Sequence, residues 1–106
     1  MLQFNIYEID EGDINVSNDN FHVTGVNLSD NSKVISVTLN AGRNQRIISK
    51  GCVIYMNNGV IKYQPDGSED THTIMNGECL ALEVGDTIRM INDTPYPANY
   101  LVIGNM

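Results

Sequence analysis

The stretch Cys52-Val53-Ile54-Tyr55-Met56-Asn57-Asn58-Gly59-Val60-Ile61-Lys62-Tyr63 decides the fold class. Its first five residues are apolar in succession. That run is too short for a helix with a buried stripe and suits a central strand covered on both faces. Asn57-Asn58-Gly59 then breaks it. Asn-Gly tolerates the positive φ values of a type I′ turn, so the segment predicts a tight hairpin with residues 60–63 returning.

The same grammar runs outward. Upstream, Ile35, Val37 and Leu39 alternate with Ser36 and Thr38, the period-2 pattern of a strand with one buried face. Residues 46–49, 21–26, 14–16 and 4–9 read as further strands. Turn residues at 40–42, 29–33, 17–20 and 11–13 separate them. Downstream, Pro65-Asp66-Gly67 closes a loop, residues 71–75 form a strand, and Asn76-Gly77 is a second Asn-Gly turn. Leu80, Leu82 and Val84 share a face before Gly85-Asp86 breaks the chain. Residues 87–91 alternate, Asp93-Thr94-Pro95-Tyr96-Pro97 is a stiff loop, and residues 100–103 close the domain. No segment carries a long stripe of period 3.6. Short strands with closely spaced turns predict an all-β sandwich or barrel, in one domain over residues 1–106.

Composition limits the function classes. The 106 residues, 42% hydrophobic, suffice for one modest core. The formal charge of -7 opposes nucleic-acid backbones and anionic membranes, so neither is an expected partner. A small anionic ligand remains compatible, because a few local cations outweigh a distant net charge at short range. The opening Met1-Leu2-Gln3-Phe4-Asn5 lacks a basic and an apolar leader region, which predicts a cytoplasmic protein. Cys52 and Cys79 each sit in an apolar run without a CxxC partner, so both are expected to be buried free thiols.

Gly42, the strand at 52–56, Gly59, and then Gly77-Glu78-Cys79-Leu80-Ala81-Leu82-Glu83-Val84-Gly85-Asp86 together resemble the cupin pattern. The resemblance spans roughly residues 34–103. It implies a small antiparallel jelly-roll barrel with its ligand in the mouth or interior. Within the cupins, the chain is most similar to the small pyrimidine/purine nucleoside phosphorylase family. Met1-Leu2-Gln3 with Asn5 and Tyr7, the spacing of Gly25, Gly42 and Gly59, the run from Gly77 to Ile88, and Pro95 with Tyr100-Leu101 carry that similarity. The chain departs from it in an extra loop near residues 11–20, in Glu83 where the family has proline, and in Lys50 and Cys52 where the family is acidic.

The resemblance implies phosphorolysis of nucleosides to base and sugar 1-phosphate. The departures keep a second reading open: a non-catalytic module binding a nucleotide or sugar phosphate, or an oligomeric scaffold. Whether the chain is an enzyme stays undecided at this point. Many cupins hold a metal through a His-x-His segment. Here the corresponding residues read Arg43-Asn44-Gln45-Arg46-Ile47-Ile48, and the two histidines, His22 and His72, are isolated, so no metal and no cofactor is expected.

Of the six cations, Arg43, Arg46 and Lys50 cluster where metal-binding cupins hold their ligands. In an extended run Arg46 and Lys50 share a face with Asn44. Facing inward they would form an anion site; facing outward they would solvate the sheet. Arg89 lies opposite Ile88 and Met90 and suits either a ligand or an ion pair. Arg43, Arg46 and Arg89 are the candidates for phosphate. Tyr63, Tyr96 and Asn92 are the candidates for a base or sugar, while Tyr55 and Tyr100 read as core. A homodimer is expected, because pairing disposes of open strand edges.

Overall fold

The computed structural model describes residues 13–17, 19–27 and 32–104; the strand expected at 4–9 lies outside them. Eight strands follow in order: β1 (Asp13–Ser17), β2 (Phe21–Asn27), β3 (Lys33–Leu39), β4 (Asn44–Asn58), β5 (Val60–Pro65), β6 (His72–Met75), β7 (Cys79–Ile91) and β8 (Ala98–Gly104). They form one eight-stranded sheet in the order β1-β2-β3-β8-β4-β7-β5-β6. Every pairing is antiparallel. The fold is an all-β jelly roll of the cupin type.

Two long strands join its halves. The first part of β4 pairs residues 44–48 with 91–87 of β7, and there β7 also pairs with β5. The second part of β4 pairs residues 52–55 with 82–79 of β7, and on its other side with β8. The strands read separately at 46–49 and 52–56 are therefore one bent strand, and the break read at Gly85-Asp86 is a bend, not an end. The register shifts between Ile48 and Lys50, and Gly85 takes φ 91°, a conformation that L side chains avoid.

The predicted hairpin at Asn57-Asn58-Gly59 does not form. Strands β4 and β5 are not neighbours; β5 pairs with β6 and β7. A type I′ turn needs two residues with positive φ, and only Gly59, at φ 103°, has it there. The corner carries the chain across the jelly roll instead. The Gly59 N–H donates to Asn76 Oδ1 at 2.6 Å, and the Gly77 N–H donates to the Met56 carbonyl at 2.8 Å. The two Asn-Gly corners are thus fastened together at one end of the molecule. Residues 13–17 form edge strand β1 against β2, so the segment near 11–20 contains the strand expected at 14–16.

The inward faces build one core. Ile35, Val37 and Leu39 are fully buried as their alternation predicts, together with Val23, Ile54, Met56, Met90, Tyr100 and Val102. Each such side chain contributes roughly 1.5–3 kcal/mol relative to exposure. Tyr100 donates its hydroxyl to Gln45 Oε1 inside this core, and burial pushes its pKa up, so it stays a neutral phenol. Tyr55 was expected beside it. Its parity places it outward and half-buried, because Ile54 and Met56 take the inward positions. Cys79 is also a correction. Leu80 and Leu82 point inward, so Cys79 is exposed while Cys52 is buried. Among the described residues no helix is long and apolar enough to cross a membrane.

Candidate functional site

The bend of β7 opens a cleft of about 440 Å³ at the mouth of the jelly roll. Leu80 and Leu82 reach it from before the bend and Ile88 from after it; Tyr63 and Pro65 enter from the inward side of β5. The Tyr63 ring stacks on His72, its partner across to β6, with centroids 5.2 Å apart. Asp66 and Asp86 stand at the rim. Asp86 Oδ2 accepts the Glu83 N–H at 2.8 Å, which holds the bend. The walls are apolar and aromatic, and the rim offers carboxylate acceptors. That combination suits a flat organic group bearing hydroxyls.

A second hollow of about 160 Å³ adjoins the first, sharing Pro65, Asp66 and Ile88. Arg46 on β4 and Arg89 on β7 line it as directly opposed cross-strand partners. Gln45 and Ile47 face the core, as do Ile88 and Met90, so both guanidiniums project from the outer face. Like charges directly opposite destabilise a sheet unless something answers them. Arg46 pairs with Asp66 Oδ2 at 3.3 Å, whereas Arg89 donates to the neutral Asn44 Oδ1 at 2.6 Å. The Arg46 pair is half-exposed and stabilises by no more than about 1 kcal/mol. The hollow therefore holds two cations and one carboxylate. The turn is fixed by Gln64 Nε2 donating to the Ser68 carbonyl and by the Asp66 N–H donating to the Thr87 carbonyl, both at 2.9 Å.

The candidates separate accordingly. Tyr63 lines the cleft, and Arg46 and Arg89 line the outer hollow. Arg43 sits exposed just before β4 and lines neither; its carbonyl accepts the Asn92 N–H at 2.9 Å. Tyr96 is 72% exposed and lines neither. Asn92 is a correction. It is 0% exposed and its amide is fully engaged with protein. Its Nδ2 donates to the carbonyls of Leu39 (3.0 Å) and Tyr96 (2.8 Å), and its Oδ1 accepts from the Thr94 N–H (3.1 Å) and hydroxyl (2.7 Å). It builds the loop after β7 and has nothing left for a ligand.

Sequence reasoning passed over Asp66, Asp86, Leu80, Leu82 and Ile88 as site residues. Pro65-Asp66-Gly67 and Gly85-Asp86 were legible as turns, but only the bend of β7 makes their carboxylates face one cleft. The inward side chains of β4 and β7 near this level are Gln45, Ile47, Ser49, Cys52, Leu82 and Ile88. They offer no imidazole or carboxylate, and burial pushes the Cys52 thiol up, away from the thiolate a metal needs. The donor set does not fit the metal that many cupins hold. Among the described residues no three His, Cys, Asp or Glu side chains gather to hold an ion.

No family model and no curated protein sequence matches the chain. Solved structures do. A conserved protein with a double-stranded β-helix domain from Klebsiella pneumoniae shares 16% identity over 99% of this chain and 90% of its own, with TM-score 0.72. The cupin domain of an XRE family transcriptional regulator from Enterobacter cloacae shares 12% over 83% and 98%, with TM-score 0.71. A sugar phosphate isomerase of the cupin superfamily from Silicibacter pomeroyi shares 21% over 79% of this chain and 59% of its own, with TM-score 0.63. These likenesses carry the fold and nothing toward the nucleoside phosphorylase family: the chain has the double-stranded β-helix of the cupins.

Proposed function

We propose that this chain is a metal-independent binding protein for a small phosphorylated ligand of nucleotide or sugar-phosphate type. The organic part occupies the Tyr63, Leu82 and Ile88 cleft, and the phosphate bridges Arg46 and Arg89. One observation carries the reading: an acidic chain sets two guanidiniums opposite each other, with a single carboxylate that pairs with one of them, beside an aromatic cleft. A phosphate displaces Asp66 from Arg46 and answers both cations through bidentate contacts. The structural likeness to a protein described as a sugar phosphate isomerase supports the same ligand chemistry.

Thermal shift with uridine monophosphate, ribose 5-phosphate, uridine and inorganic phosphate tests this. At ~100-fold the dissociation constant a ligand stabilises by ~2.7 kcal/mol, which moves the midpoint of a domain this size by roughly 10 °C. The expected result is a shift with a phosphorylated ligand that R46Q and R89Q each abolish. No shift with any phosphorylated compound, or a shift unaltered in both variants, overturns the proposal. Phosphate-dependent release of free base from uridine, above a heat-denatured control, would replace it with the phosphorolysis reading.

A further inference from the structure

The two hollows meet along Pro65, Asp66 and Ile88, and of these three only Asp66 has a polar side chain. A ligand that keeps its organic part in the cleft and its phosphate on the arginines passes Asp66 at its middle. The backbone there is fixed. The Asp66 N–H donates to the Thr87 carbonyl at 2.9 Å, and the Ser68 N–H donates to the Pro65 carbonyl at 3.1 Å. The carboxylate above it is held loosely. Its Oδ2 rests on Arg46 at 3.3 Å, and the side chain is 65% exposed. An ion pair open to water is weak, and two side-chain torsions are enough to turn the carboxylate away from Arg46. Asp86, the other carboxylate of the cleft rim, is tied to the bend by the Glu83 N–H at 2.8 Å.

Asp66 thus has two positions with opposite consequences. On Arg46, where the structure holds it, the carboxylate lowers the positive charge of the outer hollow and withholds an acceptor from the cleft. Turned off Arg46, it leaves two opposed guanidiniums with only the neutral Asn44 beside Arg89, and it stands at the cleft rim as a charged acceptor. A phosphate on the guanidiniums competes with the carboxylate for Arg46 and repels it as a like charge. A ligand hydroxyl at the rim donates most strongly to a carboxylate that has left Arg46. Phosphate and hydroxyl therefore favour the same position. Two groups that favour one state strengthen each other's binding, and they do so reciprocally. Resting on the binding reading above, we propose that Asp66 is a two-position specificity residue coupling the hollows. The site then selects phosphate esters of hydroxyl-bearing sugars. Such an ester gains more than the sum of what its sugar and its phosphate contribute alone.

NMR titration of the full chain with uridine, 2′,3′-dideoxyuridine and the 5′-monophosphate of each tests this. The affinity ratio within each pair measures what the hydroxyls contribute. In the wild type that ratio should be about tenfold for the monophosphates and no more than about threefold for the nucleosides. Asp66→Ala should bring the two ratios within about twofold of each other, because the coupling group is gone. It should also bind inorganic phosphate several-fold more tightly, because Arg46 no longer has a competing carboxylate. Asp66→Asn keeps a neutral acceptor, so it should tighten phosphate likewise and give an intermediate ratio for the monophosphates. Both variants retain the backbone N–H that bonds Thr87, and thermal midpoints near wild type would show that they remain folded. Equal ratios for monophosphates and nucleosides in the wild type overturn the coupling. Unequal ratios that survive Asp66→Ala overturn it too, as does phosphate bound no more tightly by that variant. In each of these cases, monophosphate binding that R46Q and R89Q abolish leaves the binding reading standing. Absence of monophosphate binding in both wild type and Asp66→Ala overturns the two together.

Discussion

Replacing Asn92 by alanine distinguishes a loop-building residue from a ligand contact. The side chain is 0% exposed and makes four hydrogen bonds: two donated to the Leu39 and Tyr96 carbonyls and two accepted from Thr94. Truncation removes all four. Each bond is worth ~0.5–1.5 kcal/mol net, and a buried carbonyl left without its donor costs ~1–3 kcal/mol. Once Asn92 Oδ1 is gone, the single Thr94 hydroxyl proton is free to turn to the Tyr96 carbonyl 3.0 Å away, so the heavier loss falls at Leu39. The sum is about 3–5 kcal/mol, a large part of the ~5–15 kcal/mol that holds a small domain together. Urea unfolding followed by circular dichroism reads it as a lower midpoint with an unchanged slope. N92D keeps the two bonds from Thr94 but turns an acceptor toward two carbonyls. It should therefore be at least as destabilising near neutrality and recover partly as acid protonates the carboxyl. A loss below ~1 kcal/mol in N92A, with a collapse of ligand affinity, would refute the reasoning and return Asn92 to the ligand site.

Two further expectations follow from the strands and loops around the cleft. Gly85→Ala meets no atom within 4 Å, so its cost is purely conformational, at φ 91°; about 1–2 kcal/mol in urea is expected, and a stabilised variant would contradict it. Asp93 pairs with Lys62 at 2.6 Å, and that ammonium holds its carboxyl below the ordinary range. A depressed folded-state pKa gives stability that is present above the unfolded carboxylate pKa and lost as the pH falls through the folded value. The gap in thermal midpoint between wild type and D93N should therefore be small at neutral pH, because both groups are exposed, and close toward acid. A gap that widens below about pH 4 would contradict this sign.

Local pattern made the strands legible and left their partners illegible. Ile35, Val37 and Leu39 report their burial through simple alternation, because one face of β3 meets the core along its whole length. Asn58-Gly59 reports that the chain turns, but a positive φ does not say whether it stays in the sheet or crosses to the opposite layer. Gly85 reads as a strand end for the same reason. The bend is stabilised by pairings to β4 and β5 that lie far away in sequence. The site inherits this limit. Arg46 and Arg89 were visible as cations in strands, but their outward direction depends on Gln45 and Ile88 being inward. Gln45, a polar residue in the core, is the position most easily assigned to the wrong face. The missing information was tertiary: inside the core, Gln45 Oε1 accepts from the Tyr100 hydroxyl.

That buried pair also explains why the open cleft lies at the mouth. Tyr100, Met56, Met90 and Ile54 fill the interior with no exposure. A ligand entering the barrel would displace side chains worth several kcal/mol of burial, whereas the cleft beside Tyr63 is already open. Cations face the opposite constraint. A guanidinium buried in that core without a partner would lose its hydration, so the arginines lie outside, next to the opening rather than within it. A ligand spanning both hollows must then be apolar or aromatic at one end and anionic at the other.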